Sequence, residues 1–269
     1  MTVLPLTDQE FTHFQRFIFD TAGITLSPAK KALVSGRLAK RLQQFNLSNY
    51  SQYFEMLGSS AAPGEAQVAV DLLTTNETYF FREMSHFDFL RQQAKAASGR
   101  GAPFRVWSAA SSTGEEAYSI AMVLADCLGD AAWEVVGSDI SSRVLEGARR
   151  GHYPMERAAH VSEAYLHRYC LKGTGPQEGT LLVDRALRSR VSFQQVNLNR
   201  PLPELGMFDM IFLRNVMIYF NEQTKREVVA RVLGRLKPGG HFCIGHSESL
   251  NDISDAVRSL APAIYQKAA

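Results

Sequence analysis

Cysteine is scarce: the 269 residues contain three, Cys127, Cys170 and Cys243, odd in number and far apart. That spacing excludes a cysteine-based metal or redox motif, and a reducing cytosol is its simplest setting. Long apolar runs are missing as well, so no segment reaches membrane-spanning length and no membrane insertion is expected. The opening MTVLPLTDQEF has neither a basic start nor an extended apolar stretch, and a signal peptide is not expected. There is no excess of one charge. Lys+Arg 29 against Asp+Glu 27 leaves +2, which marks the whole chain as neither a nucleic-acid binder nor an acidic surface; any bias must be local. What remains is an ordinary balance of 45% apolar and 21% charged residues, in a chain long enough for one large domain or a domain with a smaller companion.

The first part reads as helical. Thr7 and Glu10 form a T-x-x-E capping box ahead of Phe11, Phe14 and Ile18 at helical spacing. SPAKKALVSGRLAKRLQQF follows, with Ser27 as its cap, Pro28 at the first helical position, and Leu33, Leu38 and Leu42 on its apolar side. SNYSQYFEML gives a third helix and ends in the small-residue loop GSSAAPG; another helix, roughly 65–73, leads into TTNETYFFRE. The spacing predicts a helical domain over 1–75 and a second domain over 76–269. There, FRVWSA, WEVVGSD, RVSFQQVN, FDMIFL and HFCIG are runs of strand length. Helical stretches such as GEEAYSIAMVLAD, SRVLEGARR and EQTKREVVARVLGRL lie between most of them. This rhythm predicts an α/β doubly wound sheet with ligands at the carboxyl ends of its strands. KPGG reads as a helix stop and turn. The interval of about 153–188 is too long for a plain loop and predicts an inserted subdomain with a glycine-rich turn and a β-like run.

The stretch VWSAASSTGEEAYSIAMVLAD has the strand, turn and helix of a nucleotide site, yet it carries one glycine, Gly114, and two carboxylates, Glu115 and Glu116. Two carboxylates oppose a pyrophosphate where water is scarce, and the G-x-G-x-x-G pattern is absent. A cationic, phosphate-free nucleoside such as S-adenosylmethionine suits the site better. Asp139 ends the second strand 25 residues after Gly114, near the separation at which a carboxylate reaches ribose hydroxyls. Two plainer readings stand beside these: Thr113 and Glu116 also form T-x-x-E, and Asp139 also sits where it caps the helix that follows at Ser141.

TTNETYFFRE, VWSAASSTGEEAYSIA, GSDIS, FLRNVMIYF and GHSES, five motifs in order, give the chain a wider likeness. It resembles the CheR family of S-adenosylmethionine-dependent methyltransferases, which esterify glutamate side chains on bacterial chemoreceptors. The resemblance implies a Rossmann-like methyltransferase sheet, an all-helical N-terminal domain and a small inserted antiparallel β-subdomain. It places Asn76, Thr78 and Arg82 at the methionine end of the cofactor and the reaction centre. Glu116 falls on the cofactor, Asp139 on the ribose, and Asn197 and Leu198 beside the adenine. Arg214 and Asn215 form the floor, with Tyr219 nearby. The plain alternatives are an exposed ion pair between Arg82 and Glu83 and a core position for Tyr219. His246 has no physical role in this reading, and the histidines show no shared metal spacing, so no metal is expected.

Methyl transfer from a sulfonium to a carboxylate needs no general base, because a glutamate with a pKa of about 4.3 is already ionised. Arg82 and Tyr219 are expected to orient the substrate carboxylate, with S-adenosylhomocysteine as the product. The second helix carries Lys30, Lys31, Arg37, Lys40 and Arg41 with no acid between them. Lys30, Arg37 and Arg41 lie along one face, as a dock for the glutamate-rich cytoplasmic domain of a chemoreceptor. KGTGPQEG resembles the turn of family members that capture a receptor's C-terminal peptide as an added strand. Two rivals are a methyltransferase acting on nucleic acid and a non-catalytic receptor-binding module. The first lacks aromatic residues interleaved with the basic cluster; retention of Arg82, Glu116, Asp139 and Tyr219 weighs against the second. The expected setting is the cytoplasm, without nucleic acid as a partner.

Overall fold

The computed structural model describes residues 4–59, 62–99 and 101–268; Met1 to Val3 of the opening stretch and Ser60 and Ala61 of GSSAAPG lie outside them. Four helices come first: α1 (Asp8–Ala22), α2 (Lys31–Gln44), α3 (Tyr50–Leu57) and α4 (Glu65–Leu73). The capping box forms: Thr7 Oγ1 accepts the Glu10 amide at 3.2 Å, and the Glu10 carboxylate takes the Thr7 N–H at 2.9 Å. One turn apart on a single face, Phe11, Phe14 and Ile18 meet Val34, Leu38 and Leu42 of α2 and Tyr50 and Tyr53 of α3 in a core of their own. The start of α2 differs from expectation. Pro28–Lys30 form a 3-10 turn, the Ser27 side chain makes no capping hydrogen bond, and the α-helix begins at Lys31. Proline's fixed φ suits both kinds of turn, so the sequence does not separate them.

After α5 (Ser85–Ala97), which the sequence reading did not single out, β and α alternate. The elements are β1 (Phe104–Ser108), α6 (Glu115–Leu128), β2 (Trp133–Asp139) and α7 (Ser142–Arg150), then β3 (His152–Pro154), α8 (Glu163–Tyr169), β4 (Cys170–Lys172), β5 (Thr180–Val183) and α9 (Arg185–Arg188). The chain ends with β6 (Val191–Gln195), β7 (Phe208–Leu213), α10 (Glu222–Leu233), β8 (Leu236–Ile244), β9 (Val257–Ala261) and β10 (Ile264–Lys267). The large sheet has the order β6-β2-β1-β7-β8-β10-β9. Strands β6, β2, β1, β7 and β8 pair in parallel, and β10 is antiparallel to both neighbours. Successive strand residues face opposite sides. Met210 and Phe212 of β7 join the core under α5 and α6, while Ile211 and Leu213 join the core under α10. Both faces are covered, which is why these strands read as continuous apolar runs.

From β1 the chain steps outward to β2 and β6, then returns to β7 and β8 on the other side. The crevice at that reversal, between the carboxyl ends of β1 and β7, is where such sheets bind ligands. Three smaller features depart from or extend the reading. KPGG is not a turn between elements: it lies within β8, where the pairing with β7 shifts register between Phe208 and Met210. Between those pairs β7 advances two residues and β8 five, so three extra residues are absorbed as an irregular bulge, and a glycine pair permits it. The insertion folds as a second, three-stranded antiparallel sheet, β3-β5-β4. The closing β9–β10 hairpin was not foreseen, because its strands are half exposed and carry little apolar periodicity.

Candidate active site

The turn after β1 is built by one glycine. Gly114 has φ +96°, and a Cβ there would sit 2.9 Å from both Ala148 Cβ and the Tyr153 hydroxyl, so no other residue fits without displacing them. This lets the Ser111–Gly114 turn close onto the end of β2. Asp139 knits the two together: Oδ2 accepts the Ser112 amide and Oδ1 the Ser141 amide, each at 2.9 Å. Asp139 is buried, and burial outweighs those N–H donors and pushes its carboxyl up to about 6. The cap of α7 is Ser141, whose own side chain accepts the Val144 amide.

The two adjacent glutamates point to different neighbours. Glu116 Oε1 accepts the Ser108 hydroxyl at 2.7 Å and Oε2 accepts Arg214 Nη1 at 3.0 Å. Burial raises its pKa against the pull of Arg214. It caps nothing: Gly114 is the N-cap position, without a side-chain bond, and Thr113 Oγ1 donates to Glu115 instead, at 2.6 Å. Glu115 is fully buried, faces Arg157 of the insertion at 3.4 Å, and its pKa is likewise raised by burial.

Arg214 closes β7 and forms the floor. Its side chain is 2% exposed and carries ion pairs to Glu83 and Glu116, both at 3.0 Å, and a hydrogen bond to the Arg82 carbonyl. Two carboxylates around one guanidinium leave no uncompensated cation in the floor. Arg82 therefore does not pair with Glu83, the plain alternative; it donates to the Glu77 carbonyl at 3.2 Å and lies 5.8 Å from the Tyr79 ring centre. Glu248 of GHSES anchors the other side, accepting the amides of Asn215, Met217 and Gly245 at 2.6 to 2.9 Å. His246 also finds a setting. It stacks edge-on with buried His86 at 5.0 Å, and Glu83, His86 and His246 form a cluster with metal-like spacing that the sequence positions concealed. The Glu83 oxygen turned toward the histidines is already the acceptor for Arg214.

Asn76, Thr78, Arg82, Glu116, Asp139, Asn197, Leu198, Arg214, Asn215 and Tyr219 all line one cleft. Several act on the protein as well. Asn76 O accepts the Ser112 hydroxyl at 2.9 Å, and Asn197 Nδ2 donates to Thr21 O of α1 at 2.6 Å. Missed by the sequence reading are Ala22 and Ile24, which bring the helical domain to the cleft wall. Ile24 bridges to Phe220, and the Thr25 amide donates to Tyr219 O at 2.8 Å; nothing in the local sequence signals so remote a pairing.

The basic helix is corrected. Lys30 lies outside α2, in the 3-10 turn. Arg37 donates to the carbonyls of Leu73 and Thr74, capping α4, and Arg41 forms a bidentate pair with the buried Glu65. These arginines do not make a free charged face with Lys30; they close the carbonyl end of one helix and a buried acid, demands that charge spacing along a sequence does not reveal. Lys30 and Lys40 remain exposed.

Residues 9–74 match the family description "CheR methyltransferase, all-alpha domain", and residues 76–265 match "CheR methyltransferase, SAM binding domain". The chain is 44% identical to a chemotaxis protein methyltransferase of Escherichia coli K12, over 93% of this chain and 87% of that one. It is 41% identical to chemotaxis protein methyltransferase 2 of Pseudomonas aeruginosa, over 97% and 94%. Among solved structures it is similar to the N-methyltransferase NodS from Bradyrhizobium japonicum WM9, at a TM-score of 0.40 and 12% identity, covering 70% of this chain and 97% of that one.

Proposed function

This chain belongs to the CheR methyltransferase family, and from that premise we propose that it methylates glutamate side chains on the cytoplasmic domains of chemoreceptors, leaving glutamyl methyl esters. S-adenosylmethionine is its methyl donor and chemotaxis its setting. The observation that carries the glutamate reading is the cleft itself: an acidic side made by Glu116 and Asp139 lies in the same cavity as half-buried Arg82 and Tyr219. The first pair suits a cationic nucleoside; the second suits a carboxylate.

Bound there, S-adenosylmethionine would supply a methyl group on a sulfonium, whose transfer to a carboxylate would leave a neutral sulfide and a neutral ester. Asp139 offers its carboxylate to the ribose hydroxyls, held in place by the Ser112 and Ser141 amides. Glu116 faces the cationic end, while Leu198, Val196 and Ile140 form an apolar flank for the base. Arg82 and Tyr219 orient the attacking carboxylate. No side chain has to remove a proton, since the nucleophile is ionised at neutral pH. Alignment of the reacting atoms accounts for up to about 7–11 kcal/mol of such a barrier.

Receptor docking falls to the helical domain, with exposed Lys30 and Lys40 as its free charges beside Arg37. The small sheet takes a receptor's C-terminal peptide as an added strand, at an edge flanked by Leu171, which is 55% exposed. Among the described residues no helix is long and apolar enough to cross a membrane, and the enzyme acts in the cytoplasm on the receptors' inner domains. Incubation with methyl-labelled S-adenosylmethionine and receptor cytoplasmic fragments tests the reading. Alkali-labile label on glutamate supports it; label on nucleic acid, or alkali-stable label, overturns it.

A further inference from the structure

We propose that Glu83 is a positioning residue of the reaction centre, holding the Phe81–Glu83 segment so that Arg82 faces the cleft; this rests on the methyl-transfer reading above. Two residues that flank Arg82 are in the left-handed region, Phe81 at φ +56° and Glu83 at φ +60°. Neither is glycine, and such conformations persist in side-chain-bearing residues only where the surroundings over-determine them. The surroundings here are specific. The Phe81 amide donates to Ser119 Oγ of α6 at 3.0 Å, and its ring packs on Phe87 at 5.0 Å.

Glu83 is held from the other side. Its Oε2 accepts Arg214 Nη2 at 3.0 Å and Nε at 3.3 Å, and its Oε1 accepts Asn215 Nδ2 and the His246 amide, both at 3.3 Å. The four donors come from the carboxyl ends of β7 and β8, so one carboxylate fastens the cofactor loop to the sheet. Arg214 completes the grip by donating to the Arg82 carbonyl. Burial opposes ionisation of Glu83, but Arg214 holds its pKa below the usual range. His86 lies 3.6 Å away, fully buried and with neither ring nitrogen hydrogen-bonded; burial first, then Arg214, keep it neutral, with its pKa pushed down to about 3. It adds no second cation to compete for Glu83.

The arrangement requires both a backbone tolerant of positive φ and a charged side chain long enough to reach Arg214. Glu83→Gly separates the two: it keeps a backbone that tolerates positive φ and removes only the carboxylate. Hydrogen exchange at the Phe81 and Arg82 amides and calorimetric binding of S-adenosylhomocysteine need no receptor. Single-turnover methylation of receptor fragments, with cofactor and fragment saturating, reads the chemistry. In Glu83→Gly the amides exchange faster and the saturated rate falls about a hundredfold, as expected for an orienting group displaced by about 1 Å. Glu83→Gln, which keeps the shape and loses the charge, gives intermediate values and decides the matter if the glycine variant does not fold. Unchanged exchange overturns the proposal. A saturated rate equal to wild type also overturns it, because Glu83 is then only a structural pin. Wild-type protein that labels no receptor fragment would strike at the proposed function instead, and the exchange arm alone would then decide the role of Glu83.

Discussion

Arg214 Nη1 lies 3.0 Å from Glu116 Oε2, although 98 residues separate them in the chain. The pair forms because β1 and β7 are neighbours in the sheet: Glu116 lies in the first turn of the helix after the first, and Arg214 directly follows the second. The same guanidinium also binds Glu83, so one buried cation is shared by two acids, and with both ionised the floor of the cleft keeps a net negative charge.

Removing that cation leaves both acids without compensation. Arg214→Met is expected to lower unfolding free energy by about 3–5 kcal/mol, the cost of breaking a buried ion pair from one side. Urea denaturation checks this. Adding Glu116→Gln to the same chain should recover part of the loss, since one of the stranded charges is gone.

Asp139 gives a pH dependence with a definite sign. Its folded-state pKa is raised from an ordinary 3.8 to about 6 by burial. The ionised form therefore costs stability above about pH 6, and that cost disappears below about pH 4. Ligand binding runs the other way if the ribose requires the carboxylate. Calorimetry should find S-adenosylhomocysteine bound about tenfold more weakly at pH 5 than at pH 7. Asp139→Asn should flatten that dependence.

Arg82 and Tyr219 are tested by single-turnover methylation. Arg82→Ala and Tyr219→Phe should each slow transfer, with a smaller effect on affinity for S-adenosylhomocysteine. Loss of an orienting donor is worth about tenfold or more. Rates at the wild-type level would remove both residues from the chemistry.

The helical domain separates folding from docking. Arg41→Glu places a like charge against buried Glu65, which also accepts the Tyr53 hydroxyl at 2.7 Å. A lowered melting temperature is expected, and any fall in methylation then follows from unfolding. Lys40→Glu changes an exposed residue, so the melting temperature should hold while receptor methylation weakens in a salt-dependent way. Equal methylation at low salt would remove Lys40 from the dock.

Much of this site was legible because its signals are local. A strand, one glycine and a helix mark the turn at Gly114, and a carboxylate ending the next strand marks Asp139. The family resemblance, through its five motifs and the QQVNLN stretch that holds Asn197 and Leu198, brought in the remaining residues, and all ten line one cleft. Less legible were residues whose partners are remote. Arg37 and Arg41 looked like a charged face because nothing in KKALVSGRLAKR shows that Arg41 meets Glu65 and that Arg37 caps α4. GHSES drew notice through His246, yet Glu248 makes three of the anchoring bonds. Glu83 was read as a possible partner of Arg82, its neighbour, when its partner lies 131 residues away.

The sequence by itself determined the helical start, the doubly wound sheet, the inserted subdomain and the acidic character of the nucleoside turn. Each of these is written in periodicity, capping and turn chemistry, which act over a few residues. The tertiary structure alone decided which acid meets which arginine, that Ile24 of the helical domain joins the cleft wall, and that Phe81 and Glu83 hold left-handed backbone. Burial and charge pairing depend on what the folded chain brings within a few ångströms, and no local pattern encodes that distance.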